Sequence, residues 1–459
     1  MIIINLLTVI LVPFVFGRLL LSALTGDEQP EIGFLEVSAL SFAIGLGGVT
    51  ILMYLLSWLN IPLTLLNILA TLAGISAILI IFLFKEKSFF IRFKKPKFAS
   101  LDWQEWLLTG LIFIKIVFVF FSALVKPVID IDAILYYSIV AKGIFYGQSF
   151  FAPYLQTFIA SKPPFPYLAQ GWTLIGLQQP NDCYLKLFSA ILFLCLIIIF
   201  YSVLRRSLSR KPSLVFAFFL STLPLLVYHA TTAYADLLIT FYFSVAGLYS
   251  YLFIKQGQRN HLILALIFCG LTVWAKKAGF ILAGIDLFLL FIFLPRPQLK
   301  KTIPYLAIFL VLIAPILAGR MIDTFGMLNP TLSFEQPQLS LEEKTSAMIP
   351  IVGKKLFLYA DWHLTWLLFL AALIFFPKQL AKTGQNFLLA IILLSLLAIL
   401  GQFATAGSFR WLLDGTLLDR LLMPVVPLTL FFSGQIFLAK LDGTSPAKGS
   451  VLAKSVRKT

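Results

Sequence analysis

Two aspartates, Asp130 and Asp132, stand one residue apart in the stretch KPVIDIDAILYYSIVAKGIFYGQSFFAPYLQTFIASKPPFPYLAQGW, residues 126–172. The stretch follows directly on an apolar block at 106–125, which sets both carboxylates just past a helix end at a membrane surface. A carboxylate at a water–lipid boundary can act as a general base if its surroundings keep its pKa useful. Two carboxylates at i and i+2 can also hold a divalent cation such as Mg or Mn. The same pair could equally keep a loop hydrated and cap a helix. From Asp132 to Phe145 the apolar residues Ile134, Leu135, Ile139, Val140 and Ile144 recur at helical spacing, predicting an amphipathic helix lying in the interface. Tyr136, Tyr137 and Lys142 would flank it. The run KPPFP at 162–166 interrupts regular helix, since proline removes a donor and drives its predecessor to extended geometry. A rigid turn there would bring Lys162 to the same surface, with a second short helix at about 167–178.

The elements that must hold these groups are membrane helices. Of 459 residues, 60% are hydrophobic and 12% charged, with a mean hydropathy of +0.96. The apolar residues fall in blocks close to the ~20 residues needed to cross a ~30 Å hydrocarbon core. Lipid offers backbone groups no partners, so such blocks are helices, and they lack the alternating pattern of a membrane β-barrel. About 13 spans are predicted, near 2–24, 35–58, 62–84, 106–125, 184–204, 213–230, 235–254, 262–276, 278–295, 302–321, 357–376, 386–403 and 421–438. The first lacks a basic leader and reads as a retained helix. The fold class is therefore an all-α polytopic transmembrane bundle.

Charge gives the orientation. KEKSFFIRFKKPK (85–97), RRSLSRK (205–211), the turn from Lys255 to Arg259, RPQLKK (296–301) and the tail after Lys440 all fall on one side if the N-terminus is outside and the C-terminus cytoplasmic. The formal net charge of +16 is then an orientation signal beside anionic lipid, and basic residues scattered over short loops argue against nucleic acid. Three outer segments result, about 126–183, 321–356 and 402–420. The chain divides into an N-terminal three-helix segment (1–100), a catalytic membrane domain (101–438) and a basic tail (439–459). Cys183, Cys195 and Cys269 form no framework. His229, His261 and His363 are too dispersed for a metal site. Lys115 and Asp286 lie within spans and could pair. Trp172, Trp362 and Trp411 read as an interfacial aromatic belt.

The order of features resembles the GT-C glycosyltransferase superfamily, polytopic enzymes that take sugars from polyprenyl-phosphate carriers, and most of all its protein mannosyltransferases and lipid A aminoarabinose transferases. Asp132, Tyr136, Ala141-Lys142 and Lys162-Pro163-Pro164 are similar to its first outer loop. Ala233-Tyr234-Ala235-Asp236-Leu237 resembles the element that opens a later span. Ala275-Lys276-Lys277-Ala278-Gly279 sits where relatives break between two helices. Asp419-Arg420-Leu421-Leu422-Met423-Pro424 is similar to the entry to the last helix. The likeness covers roughly 101–438. Ala133 stands where the second acid of an Asp-Glu pair would be, Ala278 replaces a Glu, and residues 1–100 are not accounted for.

The resemblance implies a sugar donor linked to polyprenyl monophosphate, membrane lipid around its chain, and an acceptor hydroxyl on a lipid, glycan or protein, at the outer face of a plasma membrane. Asp132 is then the expected base, with Asp130 as helper or substitute. Lys162, Lys276, Lys277, Arg410 and Arg420 are expected around phosphate, and Tyr136, Lys142 and Asp236 around the substrates. No cofactor is required, because the donor is already activated. Each has a plainer reading. Arg410 and Arg420 could be snorkelling anchors, Lys276 and Lys277 could mark a turn, and Asp236 could be a helix N-terminal acid beside Thr231 and Thr232. A transporter or flippase of lipid-linked saccharide would show inverted repeats and midplane charges instead. An O-antigen ligase or polymerase would carry its large loop late.

Overall fold

The computed structural model describes residues 2–26, 33–85, 101–159, 162–326, 340–380, 382–405 and 408–441. Regular structure among them is entirely helical, as the apolar blocks require. Eight helices are long and apolar enough to cross a bilayer: Ile2–Thr25, Phe34–Trp58, Leu65–Lys85, Trp103–Val125, Asp182–Arg205, Asp236–Gln256, Leu299–Gly319 and Gly384–Ala404. A bent pair, Arg210–Thr222 and Pro224–Ala230, which meet at 65°, makes nine if it is one broken span. Four other expected spans are shorter apolar helices, Arg259–Ala275, Ala278–Phe293, Thr365–Phe375 and Val426–Leu441. At 17 residues for the first and 11 for Thr365–Phe375, helix length alone does not make the count 13. The basic stretches 86–97 and 442–459, on which much of the charge argument leans, lie outside the described residues.

Local chemistry explains the breaks. Asp102 and Glu105 form a reciprocal cap at the start of Trp103–Val125, the Asp102 carboxylate accepting from the Glu105 amide at 2.8 Å and Glu105 from the Asp102 amide at 3.2 Å, which satisfies two orphan donors. The 65° bend falls at Leu223, extended at ψ 117° before Pro224, where the proline ring disfavours helix in its predecessor. Lys276, at φ −160° and ψ 157°, breaks the long apolar run 259–293 into two helices.

The first two helices are packed into the bundle. A Cβ on Gly45 would lie 1.7 Å from the Pro13 carbonyl oxygen, and one on Gly17 1.9 Å from that of Ser41. The two backbones therefore touch, a close approach that only glycine permits. Asn5 donates to the Leu177 carbonyl at 2.9 Å and the Trp172 indole to that of Val9 at 3.1 Å, fastening this pair to the Phe165–Leu177 helix. Deeper, Glu36 accepts from Arg206 at 2.7 Å and from the Tyr249 hydroxyl at 2.6 Å. Leu65–Lys85 and Trp103–Val125, by contrast, turn most of their side chains outward to lipid.

The first outer segment folds as the helical spacing of its apolar residues predicts, with two changes. A π-helical turn over Ala133–Ser138 runs into a helix at Ile139–Gly147. The apolar set divides: Val140 and Ile144 face the protein beside Ala133 and Ala141, while Ile134, Leu135 and Ile139 stay exposed. The second helix begins earlier than expected, at Phe165, with Pro166 in its first turn. There the missing N–H is an orphan in any case. Trp172 and Trp362 are fully buried, so they are core residues and not part of an interfacial belt. Exposed Trp411 lies under Arg410, whose guanidinium carbon is 4.2 Å from its ring centre. Lys115 lies over the Phe118 ring and Asp286 accepts from the Cys269 thiol at 3.4 Å, so these two span charges go to different partners.

Candidate functional site

Four elements from distant parts of the chain converge at one end of the bundle. Asp132 begins the π-helical turn after Trp103–Val125, Asp236 opens the Asp236–Gln256 helix, Lys276 is the break between Arg259–Ala275 and Ala278–Phe293, and Arg420 lies on the short Leu418–Leu422 helix. Arg420 links the acids. Its Nη1 donates to Asp132 Oδ2 at 3.1 Å, while Nη2 and Nε donate to Asp236 Oδ2 at 3.0 and 3.2 Å. Lys276 Nζ donates to the other Asp236 oxygen at 2.6 Å. Asp236 is fully buried and Asp132 about half exposed, so one acid anchors the cations and the other faces out. Burial opposes the Arg420 charge, but the Asp236 carboxylate outweighs it and holds the guanidinium above its ordinary value.

Aromatic rings frame this array. The Arg420 guanidinium carbon lies 4.8 Å from the centre of the Tyr234 ring, a stacking arginine makes well. Tyr137 stacks on Tyr167, centroids 5.3 Å apart, and meets Tyr234 edge-on. Burial, then the charges of Asp130 and Asp132, push the Tyr234 phenol up to about 12. Its hydroxyl therefore stays protonated as a hydrogen-bond donor at neutral pH.

Lys162 lies over the Tyr136 ring, Nζ 3.9 Å from its centre. Its ammonium is held below the usual lysine value by burial and by the like charge of Lys277, against the pull of Asp132. Lys162, Lys277 and Asp132 therefore share one electrostatic neighbourhood. Asp130 takes a different partner from Asp132: it accepts from the Tyr228 hydroxyl at 2.5 Å. Among the described residues no three His, Cys, Asp or Glu side chains converge as metal ligands would.

Of the residues singled out by sequence, Asp132, Tyr136, Lys162, Asp236, Lys276, Lys277 and Arg420 are brought together, with Asp130 at their edge. Two are not in this array. Lys142 pairs with Asp182 at 2.9 Å, and Arg410 sits over Trp411. Asp236 does open a helix and Lys276 does mark a helix break, and both also join Arg420 in one ionic cluster. His229, read as isolated, has its Nδ1 4.0 Å from Asp236 and is buried. Tyr228, Tyr137, Tyr167 and Tyr234 also belong to the site. The spacing of the outer stretch points to Tyr137 and the Ala-Tyr-Ala-Asp run to Tyr234, while Tyr167 and Tyr228 carry no signal in the sequence.

Beside the cluster lies a small, half-open apolar pocket with an interior of about 20 Å³. Ile239, Ile281, Leu282 and Ile399 line it, and Lys276 and Arg420 stand in its wall. The arrangement combines an apolar pocket, cations at its polar end and a carboxylate within reach of them.

Residues 161–318 match the sequence pattern of the dolichyl-phosphate-mannose-protein mannosyltransferase family. The fold is similar to the crystal structure of ArnT from Cupriavidus metallidurans in the apo state, with a TM-score of 0.52 and 16% sequence identity. That likeness covers 74% of this chain and 60% of ArnT, so the chain spans less than two thirds of the protein it resembles. No curated protein matches it by sequence. The matched segment covers less than half of the chain and holds Lys162, Asp236, Lys276 and Lys277, four of the clustered residues, while the likeness to ArnT is one of helical architecture.

Proposed function

We propose that the protein transfers a glycosyl group from a polyprenyl-phosphate-linked donor to an acceptor hydroxyl at the outer face of a plasma membrane, with its N-terminus outside and its C-terminus cytoplasmic. The observation that carries this reading is the apolar pocket walled at its polar end by Lys276 and Arg420 beside Asp132. The isoprene units next to the phosphate suit the apolar lining of this pocket, and the phosphate suits the cations. Arginine has five N–H donors in a rigid fork. Arg420 spends three of them on Asp132 and Asp236, leaving one on each Nη for phosphate oxygens. Lys276 spends one of three. Lys162 and Lys277 add positive charge nearby. That excess matches a leaving group whose charge grows as the donor phosphodiester becomes a monoester, about −1.5 to −2 at neutral pH.

The acceptor oxygen attacks the anomeric carbon while the bond from that carbon to the phosphate oxygen breaks, its electron pair leaving with the phosphate. Asp132 takes the hydroxyl proton. Its carboxylate accepts from Arg420 at 3.1 Å, and phosphate, competing for the same guanidinium, frees it when the donor is in place. Asp236 holds both phosphate-binding cations. The chemistry needs no cofactor, since the donor is already activated and carries a single phosphate. A divalent cation such as Mg or Mn at Asp130 and Asp132 is an added possibility that chelation tests. Acceptor identity (lipid, glycan or protein) is set by groups outside this cluster.

The test is turnover of a panel of polyprenyl-phosphate sugars by purified protein. We expect one donor to be consumed, with kcat reduced about 10²–10⁴-fold in Asp132→Asn, the usual range for losing a general base. Undiminished turnover in that variant would move the base elsewhere. No donor consumed or bound, with lipid or solute flux in proteoliposomes, would replace the reading with a transporter.

A further inference from the structure

Arg420 sits on a helix of only five residues, Leu418–Leu422. So short a helix has little stability of its own, and its orientation must come from what its side chains touch. Leu418, Leu421 and Leu422 are buried, fixing the apolar side. Arg420 itself bonds Asp132 and Asp236, and a further hold, independent of those acids, comes from Asp419, whose carboxylate accepts from Lys355 Nζ at 2.5 Å. Asp419 is itself buried, and its second oxygen is buried without a hydrogen-bond partner among the described residues. The whole attachment of this carboxylate therefore runs through one ammonium.

Lys355 is well placed to supply it. It lies near the end of the Leu341–Phe357 helix, in the second long outer segment, with its Nζ also 4.7 Å from the centre of the Tyr359 ring. The other end of that helix is fixed as well: Ser340 and Glu343 cap it reciprocally, and Lys344 donates to the Ala404 carbonyl at 3.4 Å. Further on, the His363 ring bonds the Thr222 carbonyl at 2.8 Å, at the bend of the Arg210–Thr222 and Pro224–Ala230 pair, from a backbone at φ +47° that histidine rarely adopts. The outer segment is thus pinned at several points around the site, and one of them is the residue next to Arg420.

We propose that Lys355, acting through Asp419, is a positioning residue for Arg420. The role rests on the reading of Arg420 as the donor's phosphate ligand. Lys355 bonds no member of the cluster and acts only through the orientation of the short helix. Losing it strands a buried carboxylate, which is relieved by taking up a proton or by turning toward water, and either way the Leu418–Leu422 helix loses its tether to Lys355. Losing both charges leaves no carboxylate to strand.

The experiment compares the full-length wild type with Lys355→Met, Lys355→Gln and the double variant Lys355→Met/Asp419→Asn. It reads hydrogen exchange of the Leu418–Leu422 amides and binding of a polyprenyl monophosphate. We expect faster exchange in that helix and at least tenfold weaker binding in Lys355→Met, a smaller change in Lys355→Gln, and recovery of most of both in the double variant. Unchanged exchange at 418–422 in the single variants would overturn the proposal. So would a double variant no better than Lys355→Met, which would make Lys355 a direct ligand contact. Should wild type bind no polyprenyl phosphate at all, the glycosyltransferase reading fails, while the exchange data still decide whether Lys355 orients the helix.

Discussion

Arg420 is the residue whose geometry is hardest to substitute. It donates three hydrogen bonds to two carboxylates from two different elements and stacks on a tyrosine ring. Lysine keeps the charge but not the fork. Arg420→Lys should therefore lower kcat/KM for the donor by about 10–100-fold, the ~1.5–3 kcal/mol of one charged hydrogen bond or slightly more, measured by steady-state kinetics. A loss no larger than twofold would show that a point charge suffices. Lys162 makes a second prediction. Its pKa is lowered by burial and by Lys277, so its charge is present at low pH and is lost as pH rises through a value below that of ordinary lysine. If Lys162 binds phosphate in the free enzyme, kcat/KM should fall on an alkaline limb below about 10.4, the lysine reference. Lys162→Arg, which cannot titrate, should remove that limb. A limb that persists in the arginine variant assigns it to another group.

At the scale of elements, the Glu36–Arg206–Tyr249 cluster holds the Phe34–Trp58 helix to the rest of the bundle. The Arg206 fork also reaches His261 Nε2 at 3.1 Å. Breaking a buried ion pair from one side leaves an uncompensated charge, a cost of about 3–5 kcal/mol. Glu36→Ala should accordingly lower the midpoint of thermal unfolding in detergent by several degrees while leaving the affinity for donor within about twofold, because no atom of the cluster bonds the site. An unfolding midpoint within a degree of wild type would mean the pair adds nothing net. Most of these elements were legible as apolar blocks, since a span advertises itself by composition. Their ends were less so. The run KPPFP predicts a turn through Phe165 and Pro166, yet both are helical, because a proline in a first turn gives up no hydrogen bond.

For the whole molecule, the charge distribution makes a prediction of sidedness. The loop at 205–211 and the turn at 255–259 should be cytoplasmic and the segments carrying Asp132, Lys355 and Arg420 external. Single cysteines placed at Gly257 and Gly353 in a cysteine-free background should differ in reaction with an impermeant maleimide on intact cells: labelled at 353, protected at 257. The reverse pattern would invert the topology and put the pocket's polar mouth on the cytoplasmic side. The pocket also predicts a dependence on donor chain length. Shortening the polyprenyl chain removes buried methylenes, each worth about 0.8 kcal/mol, so KM should climb steeply until the chain no longer reaches Ile281 and Leu282. A flat dependence would place the lipid elsewhere.

The sequence alone determined the class of the protein. Blocks of apolar residues with nothing to bond their backbones except themselves can only be membrane helices, and proline, lysine and aspartate at their ends mark where polar groups meet water. It also picked out most of the site, because charges are costly beside lipid and so stand out against 60% hydrophobic residues. It could not say which charges meet. Asp132, Asp236, Lys276 and Arg420 are separated by up to 288 positions, and no local rule carries information across that distance. Helix packing brought these four together, while leaving Lys142 with Asp182 and Arg410 on Trp411. Tyr167 and Tyr228 beside the cluster and the Lys355–Asp419 contact were hidden for the same reason. A tyrosine in an apolar chain looks like core until its neighbours are known, and an ion pair exists only in three dimensions.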